Sequence, residues 1–412
     1  MVNWSKENFK EKGLMQGDMA LWMIFLGLCM ISIVEVYSAS SNMTYSNGAY
    51  WEPVMKHGSI VAFGICIAWV MHILPCKLYK LIGLVLVLAS FALLIIAYFV
   101  GQKNGAARWI PLGPLTFQPS EVAKLGLIMF SAFVFSTFRT KDGVSTFGIR
   151  LAAVVILLIL ALIAPENLST AGIIFIVLYL IGFYAQIPMR WLLSIGGVLA
   201  GGAILAFVAV YSIPDAVFEK WHQDNVPVLH RAQTWANRIK KGSDIPDDPH
   251  DFNITEDIQV THAKIAVGTC GIFGKGPGNS VERDYLPHAD NDFIYAIIIE
   301  EGGIIAGGFV MLLYLLLLYR SMVIARRCKA LFPAYLIMGL ALMMVIQAMV
   351  NMAVDVGAMP VTGQPLPLIS RGGTSTIVNC AYMGIMLSVS RSARKIDEDN
   401  ETATVEEKPT ES

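Results

Sequence analysis

Apolar residues in this chain do not alternate with polar ones; they run in long uncharged blocks closed by Lys, Arg, Pro or Gly. Ten blocks stand out, at approximately 19–37, 57–74, 79–100, 121–138, 148–164, 168–186, 191–212, 292–319, 333–353 and 374–390. A helix needs about 20 apolar residues to cross a bilayer core, fewer where neighbours bury its ends. The pattern therefore predicts an all-α polytopic membrane protein of about ten transmembrane helices, and an even count puts both termini on one side.

The distribution of cations picks that side. Sixteen Lys and Arg, among them Lys77, Lys80, Arg139, Arg190, Arg326 and Arg327, fall at one set of helix ends, against five (Lys56, Lys103, Arg108, Lys124 and Arg371) at the other. The positive-inside rule places both termini in the cytoplasm. One connection breaks the run of short loops: residues 213–291, between the seventh and eighth spans on the extracytoplasmic side, with 12 acidic and 8 basic residues. Connections beyond about 12–15 residues are uncommon unless functional. Within it Ile258 to Gly274 is amphipathic and reads as a helix lying in the interface. The reading divides the chain into a membrane domain, 1–396, and an acidic, aperiodic tail, 397–412, read as disordered.

Composition narrows the function. Over 412 residues 55% are hydrophobic and 15% charged, with a formal net charge of −1. No clustered basic face suggests nucleic acid. The six cysteines, at 29, 66, 76, 270, 328 and 380, show neither metal-ligand nor disulfide spacing. The N-terminal stretch is not followed by a small-residue cleavage site, so the first helix is expected to remain in the protein.

Charges at membrane depth are costly and mark sites by default. The first cluster is Gly105-Ala106-Ala107-Arg108-Trp109-Ile110 followed by Phe117-Gln118-Pro119-Ser120-Glu121-Val122-Ala123-Lys124. Pro119 suits a helix start, Ser120 can cap it, and Glu121 suits the positive helix end. Glu121 and Lys124 have i,i+3 spacing, which admits a plain structural pair. Arg108 and Lys124 converging on one cavity would instead form an anion site fit for a pyrophosphate. The second cluster, Gly268 to Ser280 with Lys275 and Asn279, is rich in glycine but lacks the phosphate-loop order and its preceding strand. It is expected to line substrate where side chains would obstruct. His288, Asp290 and Asp292 follow at the head of the eighth span; Asp292 is either a dipole-stabilised terminal carboxylate or a catalytic one. Glu300 and Glu301 lie about 12–13.5 Å further along, turned away from the Asp292 face, and are expected to be buried and either protonated or paired. The third cluster joins Asn351, Asp355 and Gly357 to Met359–Ser375, where Pro360, Pro365 and Pro367 forbid regular helix. Such backbone at membrane depth must be buried by protein or line a cavity.

Three motifs in order, G-A-A-R-W-I-x7-Q-P-S-E-x2-K, F-G-K-G-x-G-N-S-x6-P-x4-D-F-I-x-A-x3-E-E and P-V-T-G-x-P-L-P-x-I-S-x-G-G-x-S, resemble the SEDS family, the peptidoglycan glycosyltransferases of shape, elongation, division and sporulation. The resemblance covers most of the chain up to Arg391. It implies a ten-span fold with a large extracytoplasmic loop between spans seven and eight. It also implies polymerisation of lipid II into glycan strands at the outer face of the bacterial cytoplasmic membrane, with the division branch favoured over the elongation branch. Asp292 falls on the family's functional aspartate. Arg108 and Lys124 match positions used near the lipid-linked substrate, and Gln118, Glu121, Lys275, Asn279, Ser370 and Arg371 complete the expected substrate-binding set. Three departures stand out: Asp290 replaces a histidine, Arg371 replaces a tyrosine before Gly372-Gly373, and Pro165–Ala171 departs from the usual P-D-L-G-T-A. The implied partners are a class B penicillin-binding protein, other divisome proteins and membrane lipid. The residues define no cofactor; a divalent cation, Mg2+ or Mn2+, would arrive with the pyrophosphate. A lipid II flippase and a non-catalytic scaffold are the competing readings.

Overall fold

The computed structural model describes residues 16–45, 51–104, 110–112, 115–212, 256–286 and 290–406. Its helices are α1 (Met19–Tyr45), α2 (Glu52–Ile73), α3 (Leu78–Asn104), α4 (Pro119–Thr137), α5 (Thr146–Ile163), α6 (Leu168–Tyr184), α7 (Met189–Ser212), α8 (Glu256–Thr269), α9 (Ile294–Arg327), α10 (Leu331–Asp355) and α11 (Gly373–Glu406). A helix occupies each of the ten stretches read as spans. Among the described residues seven, in α1 to α5 with α9 and α10, are long and apolar enough to cross a membrane, and α6 is a shorter apolar helix. Two antiparallel hairpins flank α4: β1 (Ile110–Leu112) with β2 (Leu115–Phe117) before it, and β3 (Arg139–Thr140) with β4 (Gly143–Val144) after it. Strands of two or three residues are too short to show a period of two, which is why the hydrophobic pattern gives no sign of them.

α4 and α10 form the centre of the bundle and are buried over most of their length, whereas α2 and α3 turn most of their surface outward. Glycine brings the backbones together. A Cβ on Gly126 of α4 would touch the α3 backbone at Leu86 and Val87, one on Gly339 of α10 would meet Ile128 of α4, and one on Gly64 of α2 would meet Cys380 of α11. Apolar side chains gain little by leaving lipid, so helices in membranes associate through such close approach of small residues.

α9 breaks at Gly303, whose backbone (φ 73°, ψ −173°) is not helical. A break in the ladder leaves carbonyls and amides without partners. The chain after α8 folds across the break and supplies them: Lys275 N–H donates to Glu300 O, Gly276 N–H to Glu301 O, Ile304 N–H to Gly271 O and Ile305 N–H to Ile272 O. α8 (Glu256–Thr269) covers residues 258–269 of the segment expected to be amphipathic, and 270–274 is non-helical. At the other end of the chain α11 continues through Glu406, into the tail read as disordered. Extending a helix that is already nucleated needs only one more hydrogen bond per residue fixed, so the polar sequence follows the span before it.

Candidate active site

Residues 356–372, between α10 and α11, are non-helical, as the prolines require, and the stretch from Gln364 to Ser370 is tied down. Ile369 and Ser370 N–H groups donate to Leu366 O, Leu366 N–H donates to Ser370 Oγ at 2.7 Å, and Ser32 Oγ of α1 donates to Ile369 O. Tyr314 of α9 donates its hydroxyl to Pro367 O, and Gln364 Nε2 donates to Thr170 Oγ1 of α6. From Gln364 to Ser370 the segment is thus largely buried by protein and tied to it, the condition for irregular chain at this depth, whereas 356–363 is half-buried to exposed.

The turn 290–293 leading into α9 lies against it. Arg371 clasps Asp290 twice: its backbone N–H donates to Asp290 O at 2.8 Å and its guanidinium NH1 to Asp290 Oδ2 at 2.8 Å. Asp292 is half-buried, two residues before the first helical position, and a Cβ at Gly363 (φ 62°) would stand 3.6 Å from its Oδ2. The left-handed backbone at Gly363 suits glycine. Asn351 Nδ2 uses its two hydrogens on Asp292 O (2.7 Å) and Gln364 O (2.9 Å). One turn on, Asp355 Oδ2 accepts from Ala296 N–H at 3.1 Å, in the first turn of α9.

Lys124 takes a different place from the one read in the sequence. It is 1% exposed, paired with Glu121 at 2.7 Å, and donates to Gln347 Oε1 of α10 at 2.9 Å. Gln347 in turn donates to Pro365 O. The i,i+3 pair is therefore real, and Lys124 is a buried brace behind the 356–372 segment, not a cation open to a cavity. Gln118, not Ser120, is the N-cap residue of α4, because Pro119 occupies the first helical position. Its backbone N–H lies 3.4 Å from Thr374 Oγ1. Ser370 is buried, with its hydroxyl closing the Leu366 turn. Arg371, with 38% of its side chain exposed, is a cation this rim presents, and the half-buried Lys264 of α8 packs on Gly357 of the same segment.

Lys275 and Asn279 belong to the α9 break. Lys275 pairs with Glu300 at 2.6 Å, and Asn279 Nδ2 donates to Lys275 O. Glu300 also accepts from Ser280 Oγ and from Val281 N–H, while Glu301 accepts from Gly278 N–H and Ser38 Oγ. Both glutamates are buried and paired, as expected, and they fasten a loop. Gly274 serves close approach to the chain's own helix: a Cβ there would collide with Glu301 O, as one on Gly303 would with Ile272 O, whereas a Cβ on Gly268, Gly271 or Gly278 would meet nothing within 4 Å. Arg108 and His288 lie outside the described residues. Gln347 was missed, although Gln347, Asn351 and Asp355 recur every four residues, which places three polar groups on one face of an otherwise apolar helix. Among the described residues no three His, Cys, Asp or Glu lie together in a way that could hold a metal ion, so these side chains do not form a cage for a divalent cation.

A helical membrane bundle with a half-buried carboxylate at the meeting of two irregular segments defines a class of protein with a site at one end of its spans. Comparison with known proteins is more specific. The family described as "Cell cycle protein", that of FtsW, RodA and SpoVE, matches residues 19–395. The probable peptidoglycan glycosyltransferase FtsW of Halomonas elongata is 31% identical over 386 residues, covering 91% of each chain. Its counterpart in Coxiella burnetii is 30% identical over 393 residues, covering 92% of this chain and 98% of its own. Among solved structures, a chain of a peptidoglycan synthase complex superposes with a TM-score of 0.68 at 24% identity, covering 92% of this chain and 98% of that one. The rod shape determining protein RodA of Thermus thermophilus superposes with a TM-score of 0.62 at 23% identity, covering 92% and 97%. The chain belongs to the FtsW/RodA/SpoVE family.

Proposed function

We propose that this protein is a peptidoglycan glycosyltransferase of the division type, which polymerises lipid II at the outer face of the cytoplasmic membrane beside a class B penicillin-binding protein. The names of its relatives support the activity, and the excess of Lys and Arg at the opposite helix ends supports the orientation. The observation that carries the reading is the placing of Asp292, half-buried beside Gly363 and held against the irregular 356–372 segment.

Joining two lipid II units means attack of a sugar 4-hydroxyl on an anomeric carbon. A glycosidase needs a second carboxyl group to protonate a poor leaving group; a diphosphate leaves without that help. One base then suffices. Asp292 takes the proton of the acceptor hydroxyl as the new glycosidic bond forms, and the configuration at the anomeric carbon inverts. The diphosphate departs towards cations, which in this reading are Arg371 at the rim together with Arg108. Lys124 acts from behind, keeping the 356–372 segment in place.

Purified protein given labelled lipid II in detergent tests this. Polymer is expected from the wild type, and Asp292→Asn should lower its rate by about 10²–10⁴-fold, the usual worth of general-base catalysis. Polymer made at the wild-type rate by Asp292→Asn would remove the residue from this role. Movement of lipid II between leaflets with no polymer in detergent would favour the flippase.

A further inference from the structure

The tip of α10 reaches the start of α9 with two polar groups set one helical turn apart. Asn351 is 1% exposed and Asp355 fully buried. Their i,i+4 spacing puts them on one face. Asn351 holds Asp292 O, before the first helical residue, and Asp355 holds Ala296 N–H, inside the first turn. The five residues that carry the reactive carboxylate are therefore gripped at both ends by a neighbouring helix. Asn351 also holds Gln364 O, next to the Gly363 that faces Asp292 Oδ2, so a single carboxamide fixes the distance between the carboxylate and the segment opposite it.

The capping arrangement is unusual in its source. The α9 N-cap residue is Phe293, which offers no side-chain acceptor, and the amide of Ala296 is shared between Phe293 O at 3.2 Å and a carboxylate from another helix. Buried polar side chains in an apolar helix are costly unless their bonds are needed. Each of these two leaves one oxygen, Asn351 Oδ1 and Asp355 Oδ1, buried with no hydrogen-bonding partner among the described residues. Burial of these groups is not explained by completeness of hydrogen bonding; it is explained by what their other atoms hold.

We propose that Asn351 and Asp355 are positioning residues for Asp292. They form a two-point clamp from α10 that sets the carboxylate's place relative to Gly363 and so to the acceptor hydroxyl. The clamp acts through backbone atoms, so it needs at 351 two amide hydrogens that reach both Asp292 O and Gln364 O, which a shorter side chain with one hydrogen cannot supply, and at 355 an acceptor, charged or neutral. This rests on the reading of Asp292 as the general base.

The experiment measures kcat and KM for lipid II polymerisation in detergent, with thermal unfolding and lipid II binding of each variant. Asn351→Ser and Asp355→Leu are expected to lower kcat by about tenfold or more while KM stays within about twofold, the signature of an interaction that matters in the transition state. Asp355→Asn, which keeps an acceptor for Ala296 N–H, should recover polymerisation to within about threefold of wild type. Two results would overturn the clamp: wild-type kcat in Asn351→Ser, or Asp355→Asn as inactive as Asp355→Leu, which would make the charge or proton of Asp355 the essential feature. If Asp355→Leu does not fold, Asn351→Ser and Asp355→Asn still decide. Wild-type activity in Asp292→Asn would instead strike the underlying reading, whatever the other variants did.

Discussion

Lys124 shows how a charge can be central to a site and closed to substrate. Its ammonium is held by Glu121 and Gln347 in a fully packed setting, where loss of one member strands the other as an uncompensated charge. Lys124→Met should therefore lower stability by about 3–5 kcal/mol, whereas Lys124→Met with Glu121→Leu should unfold near the wild-type temperature, since replacing both members of a buried pair by apolar groups is often close to neutral. Thermal unfolding in detergent checks this, and equal losses in the single and double variants would contradict it. The sequence made Glu121 and Lys124 visible because they stand three positions apart. Gln347 could not be linked to Lys124 in the same way, because the contact depends on how α4 and α10 cross. Asp292 was legible as the head of a span following a polar run; that its neighbours would be Asn351 and Gly363 depends on tertiary packing, as does the meeting of Asp290 with Arg371, two departures from the family pattern that the fold makes into one ion pair.

Helices were the most legible elements because a membrane imposes length and hydrophobicity together, leaving only their ends uncertain. The break in α9 is the exception, since Gly302-Gly303 reads equally well as helix in an apolar run. Only the turn 271–276, folded back on Glu300–Ile305, reveals why Gly303 is needed there, while a Cβ on Gly302 would meet Ala306. Gly303→Ala would demand a positive φ of an L-residue and drive its Cβ into Ile272 O. It should destabilise by more than the roughly 1 kcal/mol typical of a compatible Gly-to-Ala change. The damage should be local first: limited proteolysis ought to cut faster between Gly271 and Asp284 while the spans stay intact. Unchanged cleavage there would mean that the turn is held by something other than the break.

For the molecule as a whole, the two hairpins stand at opposite ends of α4, and this gives the proposed orientation a direct test. The turn of β3 and β4 carries Lys141 and follows α4; the loop that carries Gly278 covers the break in α9 near the site. If the cation count has placed the termini correctly, these two points face opposite compartments. Gly278→Cys should react with a membrane-impermeant thiol reagent added to intact cells whose outer barrier has been opened. Lys141→Cys should react only once the cytoplasmic membrane is permeabilised. Cys66, exposed on α2 within a span, sets the background when the parent protein is labelled in parallel. The reverse pattern would put Asp292 in the cytoplasm, where a carboxylate so placed would meet lipid II before its passage across the membrane, and a polymerase working at the outer face would be untenable.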